Sequence, residues 1–423
     1  MMKTLNEFAG RYQGGSAVPG PGSWWLTMRA TRRVLVMAQT MTSVKRLLDI
    51  AGLFDGDLRV QLVFTVPPDL LGRGTEQMLA AHGAPLLPWA QAAGERFDLA
   101  VTANLGSIAE VDAPVAVFSH GASRNSVARP RGRGSIPAPG PVIGFSRSDL
   151  IHAGMLVPAA IALGHEQELE LLAEGCPEAL PVASVVGDPC YDRIVSSGPH
   201  REAYRAALGL REGEKLVVVT STWRDNSLIG SSRHLISLLL DQLPAPEYRI
   251  VLLTHPNIWA IHGEYQMLSW FGHWPRRGLA MAGAHDDWQP FLTAADFIVG
   301  DHGSVTLYGA AAGVPVLLGA FPEQDVHPRS GAAALGALAP RLCAELPIVG
   351  QFEHAAAEFD PVAMARVASL ITSEPGGFAR HTRRLLYGLL GLSLPAVPAE
   401  LPAAPPPVLS ALPVASRGLG RAA

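Results

Sequence analysis

From residue 33 onward, short apolar runs alternate with stretches that read as helices. RVLVMAQ at residues 33–39 is the first buried strand, valine-rich and without a polar alternation. TSVKRLLDIAGLF at residues 42–54 reads as the helix that follows it. VQLVFTV (60–66), a helix around 76–81, LAVTA (99–103) and VAVFSHG (115–121) continue the series. Strands that are apolar throughout are buried on both faces, which predicts a parallel sheet covered by helices. After the helical LELLAEG (169–175) comes a second series: SVVGDPCYDRI (184–194), KLVVVTSTWRDNSLIG (215–230), YRIVLLTHPN (248–257), DFIVGDHGSV (296–305) and VPVLLGAF (314–321). Each run ends in polar or glycine residues, so the ligand-facing side is expected at the carboxyl edge of that sheet.

A chain of 423 residues is too long for one ordinary core. The pattern divides it into an irregular lead-in (1–31), an N-terminal α/β unit (32–183) and a C-terminal α/β unit (184–392). Beyond residue 393, SLPAVPAELPAAPPPV is too proline-dense for a helix and predicts a disordered tail (393–423). Thirty-three Lys and Arg against 37 Asp and Glu leave a net charge of −4, a balance that disfavours nucleic acid as a partner. One basic cluster, residues 124–133, is interleaved with Gly, Pro and Ser; it reads as a mobile loop, or as a flap that meets an anionic ligand. Cys176, Cys190 and Cys343 are scattered without disulfide or zinc spacing, which fits a reducing cytosol, and no metal or cofactor is invoked. No signal-type leader and no spanning segment are read. The expectation is a soluble cytoplasmic protein, with peripheral docking on the inner membrane face left open.

The polar strand ends carry the candidate chemistry. Thr220, Ser221, Thr222, Trp223 and Arg224 follow one strand at once; hydroxyls and a planar guanidinium suit a phosphate, and the same hydroxyls could simply cap a helix. Thr254, His255, Pro256 and Asn257 end the next, with the imidazole held at a strand tip by the following proline. Asp301, His302, Gly303, Ser304, Val305 and Thr306 form a turn opening a small-residue helix, the arrangement in which free N–H groups bind an anion. Gly303 and Ser304 are the expected contacts there, through backbone N–H and hydroxyl. Asp286 and Asp287 are expected to cap a helix. In the first unit, His120 and Gly121 follow a buried strand, and an imidazole facing the opposite unit could take a proton from a hydroxyl. Gly187, in a Gly-x-Pro turn, is a weak signal alone.

Taken in order, HG at 120, GDPCYDR at 187, TSTWRD at 220, THPN at 254 and DDWQPFLTAADFIVGDHGSV at 286 resemble the CDP-glycerol glycerophosphotransferase family of wall-polymer enzymes. The likeness covers roughly residues 115 to 325. It implies a GT-B fold, two Rossmann-like domains facing across a cleft, with 32–183 the acceptor domain and 184–392 the nucleotide-donor domain. It also implies roles: His120 and His255 catalytic; Gly187, Thr222, Trp223, Arg224, Pro256, Asp301, His302, Gly303, Ser304, Val305 and Thr306 on the donor; Gly121, Ser123 and Arg124 on the acceptor side. The chain departs from the family after His-Gly, where Ala122, Ser123, Arg124 and Asn125 replace Thr-Pro and a lysine. It departs again at His302 and Gly303, which replace Tyr-Ser.

The expected function is therefore transfer from a nucleotide-diphospho donor to an acceptor hydroxyl, of the CDP-glycerol type used in surface-polymer synthesis. The alternatives are a GT-B glycosyltransferase or nucleotide-sugar epimerase and, from another class, a non-catalytic nucleotide-binding protein.

Overall fold

The computed structural model describes residues 30–122 and 143–409. Ser123, Arg124 and the rest of the basic cluster lie outside the described residues, as do residues 1–29 and 410–423.

Two parallel sheets organise the chain. The first contains β1 (Arg32–Met37), β2 (Val60–Thr65), β3 (Leu99–Thr102), β4 (Val115–Val117), β5 (Pro158–Leu163) and β6 (Ala183–Val185), in the order β2-β1-β3-β4-β5-β6. Helix α1 (Met41–Ala51) leaves the end of β1; Thr40 caps it, accepting from the Ser43 N–H while the Ser43 hydroxyl accepts from the Thr40 N–H. Its apolar face, Val44, Leu47 and Ile50, is fully buried against β1 and β3. Helix α2 (Pro189–Ser197) begins the crossing to the second sheet, with Asp188 as its N-cap and Pro189 at the first helical position.

The second sheet contains β7 (Lys215–Ser221), β8 (Tyr248–Thr254), β9 (Leu279–Met281), β10 (Phe297–Gly300) and β11 (Val316–Leu318), in the order β9-β8-β7-β10-β11. The chain starts at the central β7, steps outward through β8 and β9, and then returns to the other flank of β7. That reversal opens a crevice beyond the carboxyl ends of β7 and β10, the place where open α/β sheets take ligands. Helix α3 (Pro256–Phe271), broken by a kink at Gly263 (φ +77°), follows β8, α4 (Gln289–Ala294) precedes β10 and α5 (Ser304–Ala312) follows it.

Three features correct the sequence reading. Residues 183–185 pair with β5, so the expected boundary at 184 falls inside a strand of the first sheet. Helix α6 (Phe378–Leu390) returns to the first unit: the Arg383 Nε donates to the Leu53 carbonyl at 2.8 Å, the Tyr387 hydroxyl donates to Asp57 at 2.7 Å, and the Tyr387 ring stacks on Phe54. Residues 393–409 are anchored rather than disordered. Arg59 and Arg383 donate to the carbonyls of Ser393 and Val397, and Ala404 is buried with its N–H on the Ser197 hydroxyl. A proline-rich segment loses little conformational entropy on being fixed, so a few such bonds suffice.

Candidate functional site

The crevice is a cavity of about 1190 Å³ between the two sheets, lined by both. Of the residues singled out from sequence, His120, Gly121, Thr222, Trp223, Arg224, His255, Pro256, Asp301, His302, Gly303, Ser304, Val305 and Thr306 all line it.

His120 enters from the end of β4, its side chain exposed to the cleft. Its Nδ1 lies 3.1 Å from the Ala103 carbonyl oxygen. A carbonyl only accepts, so in the neutral ring Nδ1 carries the hydrogen and Nε2 is the basic nitrogen. From the other sheet, His255 is the N-cap of α3, and its Nδ1 accepts the Asn257 N–H at 3.1 Å. That bond assigns the opposite tautomer, with Nε2–H free to donate. Burial, with the charge of His120 adding to it, pushes the His255 imidazole down to about 3. It is therefore a neutral donor at physiological pH.

The His255 shift has a measurable consequence. The unfolded chain takes up this proton below the ordinary value of 6.5, whereas the folded chain resists it down to about 3. The contribution is complete above 6.5 and is lost as the pH falls through that window. His255→Asn keeps an oxygen for the Asn257 N–H and removes the titration. Thermal melts from pH 7 to pH 4 should accordingly show a shallower loss of stability in the variant than in the wild type; parallel slopes would reject the assignment.

The turn after β7 holds Arg224 at φ +87°, a left-handed conformation unusual for a residue with a side chain. Its guanidinium lies 4.5 Å from the centre of the Trp223 ring, and that ring sits 6.3 Å from the His255 ring. Such strain persists only where surrounding contacts impose it, and it gathers at ligand sites. The turn after β10 leads into α5, whose N-cap is Gly303 and whose start has no side-chain cap. Ser304 and Val305 thus present the positive end of a helix to the cavity. Burial pushes the His302 imidazole down, and its Nδ1 is buried without a partner.

Several expected ligand contacts are instead scaffold. The Asp301 carboxylate is buried and accepts the N–H groups of Thr222, Leu228 and Gly303, each at 2.9 Å. Neither Asp301 nor the Gly303 N–H is therefore free for a donor. Burial pushes the Asp301 carboxyl up, while the His302 charge and the three N–H groups pull the other way. Thr306 is buried, with its hydroxyl 2.8 Å from that of Thr220 and accepting the Asp301 N–H. Gly187 lies outside the main cleft beside a void of about 10 Å³. At φ +94°, and with a Cβ that would fall 2.9 Å from the Glu374 carbonyl oxygen, it serves a tight joint. Asp286 caps no helix: its carboxylate accepts the Gly283 N–H at 2.7 Å, and the N-cap of α4 is Trp288, with no side-chain cap bond.

Gly121 is a tight approach of the two units. A Cβ there would lie 2.7 Å from the Ser304 hydroxyl, and Ala122 is fully buried in the core of the second sheet. Space, not backbone freedom, demands glycine.

Sequence reasoning missed the polar floor of the cleft. Arg46 on α1 pairs with Asp188 at 3.1 Å, both nearly fully buried; Asp188 also accepts the Tyr308 hydroxyl from α5 at 2.9 Å. Arg193 pairs with Asp49 at 2.7 Å, and Lys45 donates to the Asp286 carbonyl. Burial pushes the Lys45 ammonium down, and it pushes the Asp49 carboxyl up to about 6. These pairs cross from one unit to the other. On a helix such as 42–54, Lys45 and Arg46 look like an ordinary solvated face, so only the second sheet reveals their place. Cys190, also in the floor, is pushed up to about 12 by burial and is not a nucleophile.

No protein-family model and no curated protein matches the chain. Solved structures do. The wall teichoic acid polymerase TagF superposes with a TM-score of 0.56 at 13% identity, over 86% of this chain and 90% of TagF. UDP-GlcNAc 2-epimerase from Methanocaldococcus jannaschii gives 0.48 at 12% identity, over 84% and 99%. Anabaena HepE in complex with UDP and glucose gives 0.47 at 12%, over 85% and 100%. With the two parallel sheets and the cleft between them, the likeness to TagF shows the architecture: this chain has a GT-B-like fold, two Rossmann-like domains facing across a cleft.

Proposed function

We propose that the chain is a transferase that binds a nucleotide-diphospho donor against the second sheet and transfers its activated group to an acceptor hydroxyl held toward the first. The observation that carries this reading is the pair of histidines. His120 offers a basic Nε2 from one side of the cleft and His255 a donating Nε2–H from the other, beside an uncapped helix start. In the glycerophosphate version, the acceptor hydroxyl gives its proton to the His120 Nε2 and its oxygen bonds to the donor's β-phosphorus. The bond from that phosphorus to the bridging oxygen breaks, and CMP leaves with the electron pair. His255, Arg224, the Ser304 hydroxyl and the start of α5 stabilise the charge on the phosphates. The fold shared with a teichoic acid polymerase and the motifs after β7, β8 and β10 favour this version. Attack at a sugar carbon, releasing a nucleoside diphosphate, would use the same cleft.

The reading carries a cytoplasmic location with peripheral contact at the membrane. No helix among the described residues is long and apolar enough to cross one. The exposed Ile261, Tyr265 and Trp270 on α3 and the exposed Arg276 beyond it are side chains available for such contact.

A ligand that binds only the folded state raises its melting temperature, so a thermal-shift panel of CMP, CDP, CDP-glycerol, UDP, UDP-sugars, GDP-mannose and dTDP-glucose is the test. Selective stabilisation by cytidine compounds is the expected result. Preference for another base moves the reading to glycosyl transfer, and no shift at millimolar ligand removes it.

A further inference from the structure

One carboxylate joins the two turns that form the phosphate end of the cleft. Asp301 Oδ1 accepts the Gly303 N–H within its own turn. Its Oδ2 reaches the neighbouring turn instead, accepting the N–H groups of Thr222 and Leu228 at 2.9 Å and lying 3.5 Å from the Ser221 hydroxyl. Thr222 is on the turn that presents Trp223 and Arg224; Leu228 opens the short helix that closes it. A second tie runs in parallel, from the Thr220 hydroxyl to that of Thr306 and on to the Asp301 N–H. The packing leaves no slack: a Cβ on Gly300 would meet the hydroxyls of both threonines within 2.6 Å, and one on Gly303 would lie 2.9 Å from the Thr222 β-carbon. The guanidinium of Arg224 and the start of α5 belong to different strands, and their separation is set through this buried joint.

We propose that Asp301 is a positioning residue: it touches no ligand, and by holding the β7 and β10 turns at one spacing it makes Arg224 and the α5 start act on the same diphosphate. The proposal rests on the transferase reading for its ligand, but not for its structural content. An isolated helix cap would serve the β10 turn alone, whereas this carboxylate has its more heavily used oxygen on the other turn.

Asp301→Asn tests it. An amide has one accepting oxygen; whichever way it turns, its NH2 faces an N–H group and one turn is released. Two readouts are taken at 25 °C on the full chain: the Kd for inorganic pyrophosphate by calorimetry, and amide hydrogen exchange. The expected result is at least tenfold weaker pyrophosphate binding, with faster exchange in peptides covering both 220–230 and 300–307 and no change in those covering 99–117. A purely stabilising role would lower the melting temperature and leave both readouts in place. Faster exchange confined to 300–307, or unchanged affinity with both turns loosened, overturns the proposal. If the wild type binds neither pyrophosphate nor any nucleoside diphosphate, the transferase reading fails, and exchange alone decides whether Asp301 joins the turns. Should Asp301→Asn fail to fold, Thr306→Val, which keeps the shape and deletes the parallel tie, is expected to give the same paired loosening; loosening of one turn only would count against the joint.

Discussion

Replacing His120 by glutamine is expected to lower turnover by roughly 10²- to 10⁴-fold, the usual share of a general base, while donor affinity stays within about twofold of wild type. Glutamine can still donate to the Ala103 carbonyl that holds the histidine ring, so the loop after β4 keeps its anchor. What it lacks is a basic nitrogen facing the cleft. Calorimetric titration with the nucleotide that the thermal-shift panel selects, together with single-turnover kinetics, separates the two effects. Loss of both binding and turnover would place His120 in the donor pocket instead, and normal turnover would remove it from the mechanism. The pH profile adds a check: the limb of kcat/KM assigned to a base should disappear in the variant.

Gly121→Val should cost about 10²-fold in turnover, the penalty that a displacement of about 1 Å can bring, together with a lower melting temperature. A Cβ at this position would stand 2.7 Å from the Ser304 hydroxyl and 3.4 Å from its β-carbon, and both atoms belong to the helix start that faces the phosphates. The simplest relief is to hold the units apart, which stretches the buried pairs Arg46–Asp188 and Arg193–Asp49 and separates His120 from the donor. Small-angle scattering in the presence of the selected donor should report a larger radius for the variant than for the wild type. The double variant Gly121→Ala, Ser304→Gly restores the room, so its radius should return to the wild-type value. A variant at Gly121 that closes normally would show that the Gly121–Ser304 contact does not set the closed spacing.

The sheets were legible because buried parallel strands are apolar throughout. Residues 34–37, 99–101 and 216–219 have no polar alternation to disguise them, and all are fully buried. PAAIAL at 158–163 went unread: its alanines and leading proline carry no strand signal, and only pairing with β4 and β6 makes it one. The cleft position of the turns after β7 and β10 follows from local order, since a strand end is adjacent in sequence to the turn it feeds. The inward role of Asp301 did not, because acceptance from Thr222 and Leu228 depends on a neighbour more than 70 residues away. The same limit hid Lys45, Arg46 and Asp49, whose partners Asp188, Arg193 and Asp286 lie beyond the first sheet. Burial turns these from a surface face into an interface where removing one partner of a pair costs about 3–5 kcal/mol.

The return of α6 to the first unit bears on how the chain is made. Leu53 and Asp57 wait for Arg383 and Tyr387, partners 330 residues downstream. At a synthesis rate of about 5–20 residues per second, that interval is on the order of 20 to 60 seconds. Throughout it the nascent first sheet has its Leu53–Phe54 ridge uncovered, a surface open to a chaperone or to a neighbouring nascent chain. Slow codons between the two sheets would lengthen that exposure, and a circular permutant that places α6 ahead of β1 would abolish it.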